Sequence, residues 1–199
     1  MKIYKKKENI YMKGFTLIET LVAVTILVTS IVGPLTVAYQ GVSIGMDSRD
    51  RLIASYLAQD AIEYVRYHMV TKSNGGATDV GLMAGLEACD TNDSGKVCQI
   101  DTEGNPGTVT GCGGVCSNLS WNTADHYYGY GSGIDWSPAN FNREVRIFWD
   151  NTGPGTNEAT GLGGGTEYRV EVTVYWGKEN NRKSLVVVGN MIDWRIIFN

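Results

Sequence analysis

Lys13-Gly14-Phe15-Thr16-Leu17-Ile18-Glu19-Thr20-Leu21-Val22-Ala23-Val24 opens a run that decides how the rest of the chain must be read. From Phe15 to Met46 there are 32 residues and one charge, Glu19. A bilayer core is spanned by about 20 predominantly apolar helical residues, so the run is long enough to cross. Just before it, Lys2, Lys5, Lys6, Lys7 and Lys13 stand against Glu8, a balance of +4 within a chain of net charge −4. Basic residues ahead of an apolar span stay on the cytoplasmic side. The acidic remainder argues against nucleic acid as a partner, because that binding rests on Lys and Arg at phosphates. A secretory signal would end in a small-residue cleavage site after the apolar stretch. None follows here, so the anchor is expected to be retained. Glu19 is the costly letter, since a carboxylate at a helix centre in lipid costs about 2.5–3.5 kcal/mol on insertion scales.

The order glycine, aromatic, apolar pair, glutamate and membrane run resembles the processing site of type IV prepilins and pseudopilins. The resemblance implies that a prepilin peptidase cuts after Gly14 and that the new terminus, Phe15, is N-methylated. It also implies that Glu19, fifth in the mature chain, pairs with a neighbour's terminal amine during assembly. Elementary electrostatics agrees: two opposite charges removed from water offset each other, whereas either alone is expensive. Met12 is an alternative start, with the same mature product. The implied partners are other pilin subunits, the prepilin peptidase and an inner-membrane assembly platform. The implied location is the inner membrane, with the head outside the cytoplasm, followed by an extracellular or periplasmic filament.

Beyond the apolar run, Gly33-Pro34 predicts a kink or loosened turn, because proline lacks the N–H and crowds the preceding turn. Residues 47–72 read as an amphipathic helix with Ile53, Leu57, Ala61, Tyr64, Val65 and Met69 on one face. Arg49, Asp60, Glu63 and Arg66 fall opposite, and Asp47 or Ser48 is a candidate cap. An unbroken helix from Phe15 to Lys72 would be about 87 Å long. His68 lies beside the apolar face and reads as a packed side chain. Leu57-Ala58-Gln59-Asp60-Ala61-Ile62-Glu63 resembles a stretch common in minor pilins of the PilV type.

Three strand candidates close the chain. Val145, Ile147 and Trp149 alternate with Glu144, Arg146 and Phe148. Tyr168, Val170, Val172, Val174 and Trp176 alternate with Glu167, Arg169, Glu171, Thr173 and Tyr175. Lys183–Trp194 is the third. Such alternation marks an antiparallel sheet with one buried face. The expected organisation is a basic leader 1–14, a transmembrane and polymerisation helix 15–46, a head helix 47–72, a glycine- and cysteine-rich loop region 73–141 and a sheet 142–199. That is an α+β, pilin-like fold. Of 25 glycines, 13 lie between Gly75 and Gly133.

Cys89, Cys98, Cys112 and Cys116 sit in the loop region, on the side where disulfides persist. Four cysteines allow three connectivities. Nearest pairing, Cys89–Cys98 with Cys112–Cys116, is the expected one. A zinc site is the rival, but the spacings match no common zinc pattern. Asp90, Asn92, Ser94, Lys96 and Asp101 fall at loop positions one, three, five, seven and twelve, with Gly95 at six. That resembles a calcium-binding EF-hand loop, without flanking helices and with Asp101 in place of glutamate. Otherwise no cofactor is expected. With only His68 and His126, no nucleophile motif and no phosphate loop, catalysis is not expected. Three function readings remain: a structural subunit of a type IV pilus or related filament, a type II secretion pseudopilin, and an adhesive or priming tip subunit. The last would present Trp121, Tyr127, Tyr128, Tyr130 and Trp136 to a ligand.

Overall fold

The computed structural model describes residues 14, 16–74, 83, 85–91, 95–103, 107–149, 167–178 and 181–192. Two compact units meet between Ser48 and Arg49. One long helix, α1 (Leu17–Asn74), is followed by a short 3-10 turn (Glu87–Cys89) and seven strands. These are β1 (Cys98–Asp101), β2 (Thr108–Gly111), β3 (Asn118–Asn122), β4 (Tyr128–Gly129), β5 (Trp136–Trp149), β6 (Glu167–Trp176) and β7 (Lys183–Ile192). A long apolar helix followed by a small antiparallel sheet is the α+β, pilin-like arrangement.

In the first unit the helix carries its apolar side chains outward, with Leu21, Ile26, Leu27 and Val32 all more than half exposed. Its hydroxyls are spent on the helix itself. Thr20 donates to the Leu17 carbonyl, Thr25 to Val22, Ser30 to Leu27 and Thr36 to Val32, at 2.7–2.8 Å. Such back-bonding pairs these hydroxyls within the helix, which suits apolar surroundings. Pro34 stands inside α1, and the helix is assigned without interruption through it. The expected kink therefore does not end the element; the missing N–H removes one bond from a ladder that neighbouring turns maintain.

In the second unit α1 buries Ala54, Leu57, Ala58, Ala61, Ile62, Val65 and Met69. The stripe is the expected one, displaced slightly, so that Ile53 and Tyr64 are half-buried at its margin. Three alanines keep the helix surface low. Opposite, a Cβ on Gly189 would lie 3.2 Å from Ile62 Cγ2, so the glycine lets Ile62 seat closely. The sheet presents Phe141, Arg143, Val145 and Ile147 of β5 beside Val170, Val172, Val174 and Trp176 of β6. The register pairs Val145 with Val172 and Ile147 with Val170. Strand β7 continues the sheet, with Leu185 opposite Val174 and Val187 opposite Val172. Period-two alternation thus produces the main apolar face, as the valine pattern dictates, while Asn142, Glu144 and Thr173 of the opposite phase are buried too.

The stretch 73–141 holds more regular structure than its glycine content suggests. It contains β1 to β4, and β5 begins inside it at Trp136. β5 is long enough to serve both sides. It pairs with β6 over Phe141–Trp149, with β3 through Trp136, Ser137 and Pro138, and with β1 at Val145. Gly131 is needed for packing, because a Cβ there would collide with the Trp136 indole. The disulfides join Cys89 to Cys98 and Cys112 to Cys116, with Cα separations of 4.8 and 4.7 Å. The first ties the 3-10 turn to the start of β1. Replacing Cys89 and Cys98 together by alanine is expected to lower unfolding stability by about 2.5 kcal/mol, and Cys112 with Cys116 by about 2 kcal/mol. Urea denaturation checks this. A loss under about 0.5 kcal/mol for both would mean that the strands hold these loops unaided.

Candidate assembly segment and head-domain core

Gly14 is exposed, with open space where a Cβ would stand. Phe15 lies outside the described residues. Helix α1 starts two residues later at Leu17, which makes Thr16 its N-cap and Glu19 its third residue. The Glu19 N–H donates to Thr16 Oγ1 at 3.3 Å, and the Thr20 N–H to the Thr16 carbonyl at 3.2 Å. Thr16-Leu17-Ile18-Glu19 is therefore a Thr-x-x-Glu capping pattern, with the threonine half of the exchange made. The three-residue spacing of Thr16 and Glu19 carries this signal in the sequence alone. A carboxylate in the first turn also faces the positive end of the helix dipole. Glu19 is exposed in the single chain, available to a partner. α1 supplies a segment long and apolar enough to cross a membrane: the most apolar 18-residue window has a mean hydropathy of 2.2, and none of it is buried.

The head contains a second polar site that the alternation pattern announces and the sequence reading passed over. Arg143 is in phase with Val145 and Ile147, so it points into the core, and its side chain is 1% exposed. Its Nη1 donates to the Leu57 carbonyl at 2.9 Å and to Asp60 Oδ2 at 2.8 Å; its Nη2 donates to the Ile100 carbonyl. Thr102 Oγ1 donates to the same Asp60 oxygen at 2.8 Å. One guanidinium thereby links α1, β5 and the end of β1. Asp60, expected on the solvent face, is half-exposed yet belongs to this knot. Burial pushes the Tyr130 phenol above its ordinary range, and the Arg143 guanidinium nearby offsets part of that shift.

The aromatic residues of the loop region pack on one another. Trp121 and Tyr128 lie 4.7 Å apart, Tyr127 and Trp136 5.4 Å, and Tyr128 and Phe141 5.7 Å. His68 sits near Tyr64 and against Gly85, a packed side chain. Of the calcium-like positions, Asp90, Lys96 and Asp101 are among the described residues. Asp90 bridges to Ile147, whereas β1 opens at Cys98 opposite Val145 and runs antiparallel to β5. The Asp101 carboxylate accepts from the Glu103 N–H. Lys96 offers its carbonyl to Thr91 Oγ1, while Asn92 and Ser94 lie outside the described residues. Among the described residues no group of three or more His, Cys, Asp or Glu gathers as a metal site.

A single long apolar helix, capped at a threonine beside a first-turn glutamate and followed by a small antiparallel sheet, defines a pilin-like class of protein. Residues 11–33 match the family model described as the prokaryotic N-terminal methylation motif. Motif and fold together support a type IV pilin-like or pseudopilin protein, with α1 long and apolar enough to cross a membrane. No curated protein and no solved structure matches the chain.

Proposed function

We propose that this chain is a non-catalytic subunit of a type IV pilus or a related filament. It is cleaved after Gly14, N-methylated at Phe15, and assembled through its N-terminal helix. Glu19 pairs there with the terminal amine of a neighbour. The observation that carries the reading is the methylation motif over residues 11–33, placed at the start of an unburied apolar helix. Cleavage leaves an ammonium at Phe15 that would be costly among lipid tails or packed helices. The same surroundings make an unpaired Glu19 costly, so the two charges fix the register of one subunit on the next. A type II secretion pseudopilin would use the same segment in the same way. A tip-adhesin role would draw on Trp121, Tyr127, Tyr128 and Trp136, which pack on one another.

Mass spectrometry of the chain from native membranes or sheared filaments is expected to find an N-terminal peptide beginning at N-methylated Phe15. A chain beginning at Met1 or Met12, in cells with active prepilin peptidase, would overturn the reading.

A further inference from the structure

A groove of about 250 Å³ opens on the head between α1 and the loops that follow β1 and β3. Tyr56, Tyr127, Tyr128, Leu57, Asp60 and Glu103 line it. Two of its rings are held in place from behind: Tyr128 by Trp121 and Phe141, Tyr127 edge-on by Trp136. Walls fixed before binding spare an incoming group the cost of ordering them. The charges around the groove do not cancel. Asp60 is bound to Arg143, and Arg49 and Asp50 act in opposite senses on Tyr128. Glu103 is left as the surplus. Three tyrosines and Glu103, the surplus carboxylate among the described lining residues, favour an organic cation on an apolar stem, because aromatic rings attract cations and a carboxylate repels an anion.

We propose that this groove receives the cationic end of a lysine or arginine side chain from another polypeptide. The volume suits one side chain and not a folded element, and the stem lies along Leu57 and the rings while the charge meets Glu103. Nothing in this depends on filament assembly, so it can be measured on the isolated chain.

The test is a chemical-shift titration of the isotope-labelled full chain in detergent micelles with N-acetyl-lysine amide, N-acetyl-arginine amide and the neutral N-acetyl-norleucine amide. The expected result is saturable movement of the Tyr127 and Tyr128 ring resonances, with the charged probes bound about tenfold more tightly than the neutral one. In Glu103→Gln, an exposed position whose spectrum reports an intact fold, the preference is expected to fall to about twofold or less. Equal affinity for charged and neutral probes, no saturable shift, or an unchanged preference in Glu103→Gln would each overturn the proposal.

Discussion

Glu19→Gln is expected to leave the chain cleaved and membrane-bound while reducing its share in sheared filaments by about two orders of magnitude. The estimate takes the cost of breaking a buried ion pair, about 3 kcal/mol at its lower end. A factor of ten corresponds to about 1.4 kcal/mol. Glutamine is the informative replacement because Thr16 caps the helix three residues before position 19, and glutamine serves a capping box as glutamate does. The helix start is thereby kept and only the charge is removed. Quantitative immunoblotting of filament and membrane fractions, with mass spectrometry of the N-terminus, reads the outcome. Normal incorporation of the Gln variant would show that Glu19 serves the helix start alone, and the pairing proposal would fail.

Asp60→Ala is expected to destabilise the head by about 3 kcal/mol, far more than a half-exposed helix position ordinarily costs. The reason lies at Arg143, whose buried guanidinium would keep the Leu57 and Ile100 carbonyls but lose its counter-charge. Taking one partner from a buried pair strands the other, and here the stranded group is the deeply buried one. The sign can be separated from simple loss of contacts. Adding Arg143→Met to Asp60→Ala removes the stranded cation and supplies an apolar side chain of similar length. The double variant should be no less stable than Asp60→Ala alone, and the cycle should show a coupling of about 1–3 kcal/mol. Urea unfolding followed by tryptophan fluorescence measures the four proteins of the cycle: wild type, Asp60→Ala, Arg143→Met and the double variant. Additive losses would show that Asp60 and Arg143 act independently.

Much of this molecule was legible residue by residue. The span from Phe15 to Met46 could be read from length and charge alone, because lipid tolerates only an uninterrupted apolar helix. The faces of β5 and β6 followed from strict alternation, since successive strand side chains point to opposite sides. Leu57, Ala61, Val65 and Met69 announced the buried helix stripe by their spacing. Arg143 was announced as well, standing in phase with Val145 and Ile147. Sequence habit treats an arginine as surface, so the phase was not followed to its consequence.

Other features were settled only when distant segments met. The glycine-rich stretch gave little periodicity; β1 and β3 form there because the long β5 offers them an edge, and β2 and β4 pair on β1 and β3 in turn. Local letters cannot name a partner strand tens of residues away. Asp60 looked like a solvent-facing helix residue until the sheet brought Arg143 and Thr102 to it. The sequence by itself determined the apolar run, the cleavage-like motif and the alternating strand pattern, all properties of neighbours along the chain. The tertiary structure decided which polar groups share a site, because desolvation and pairing depend on what packs nearby in space.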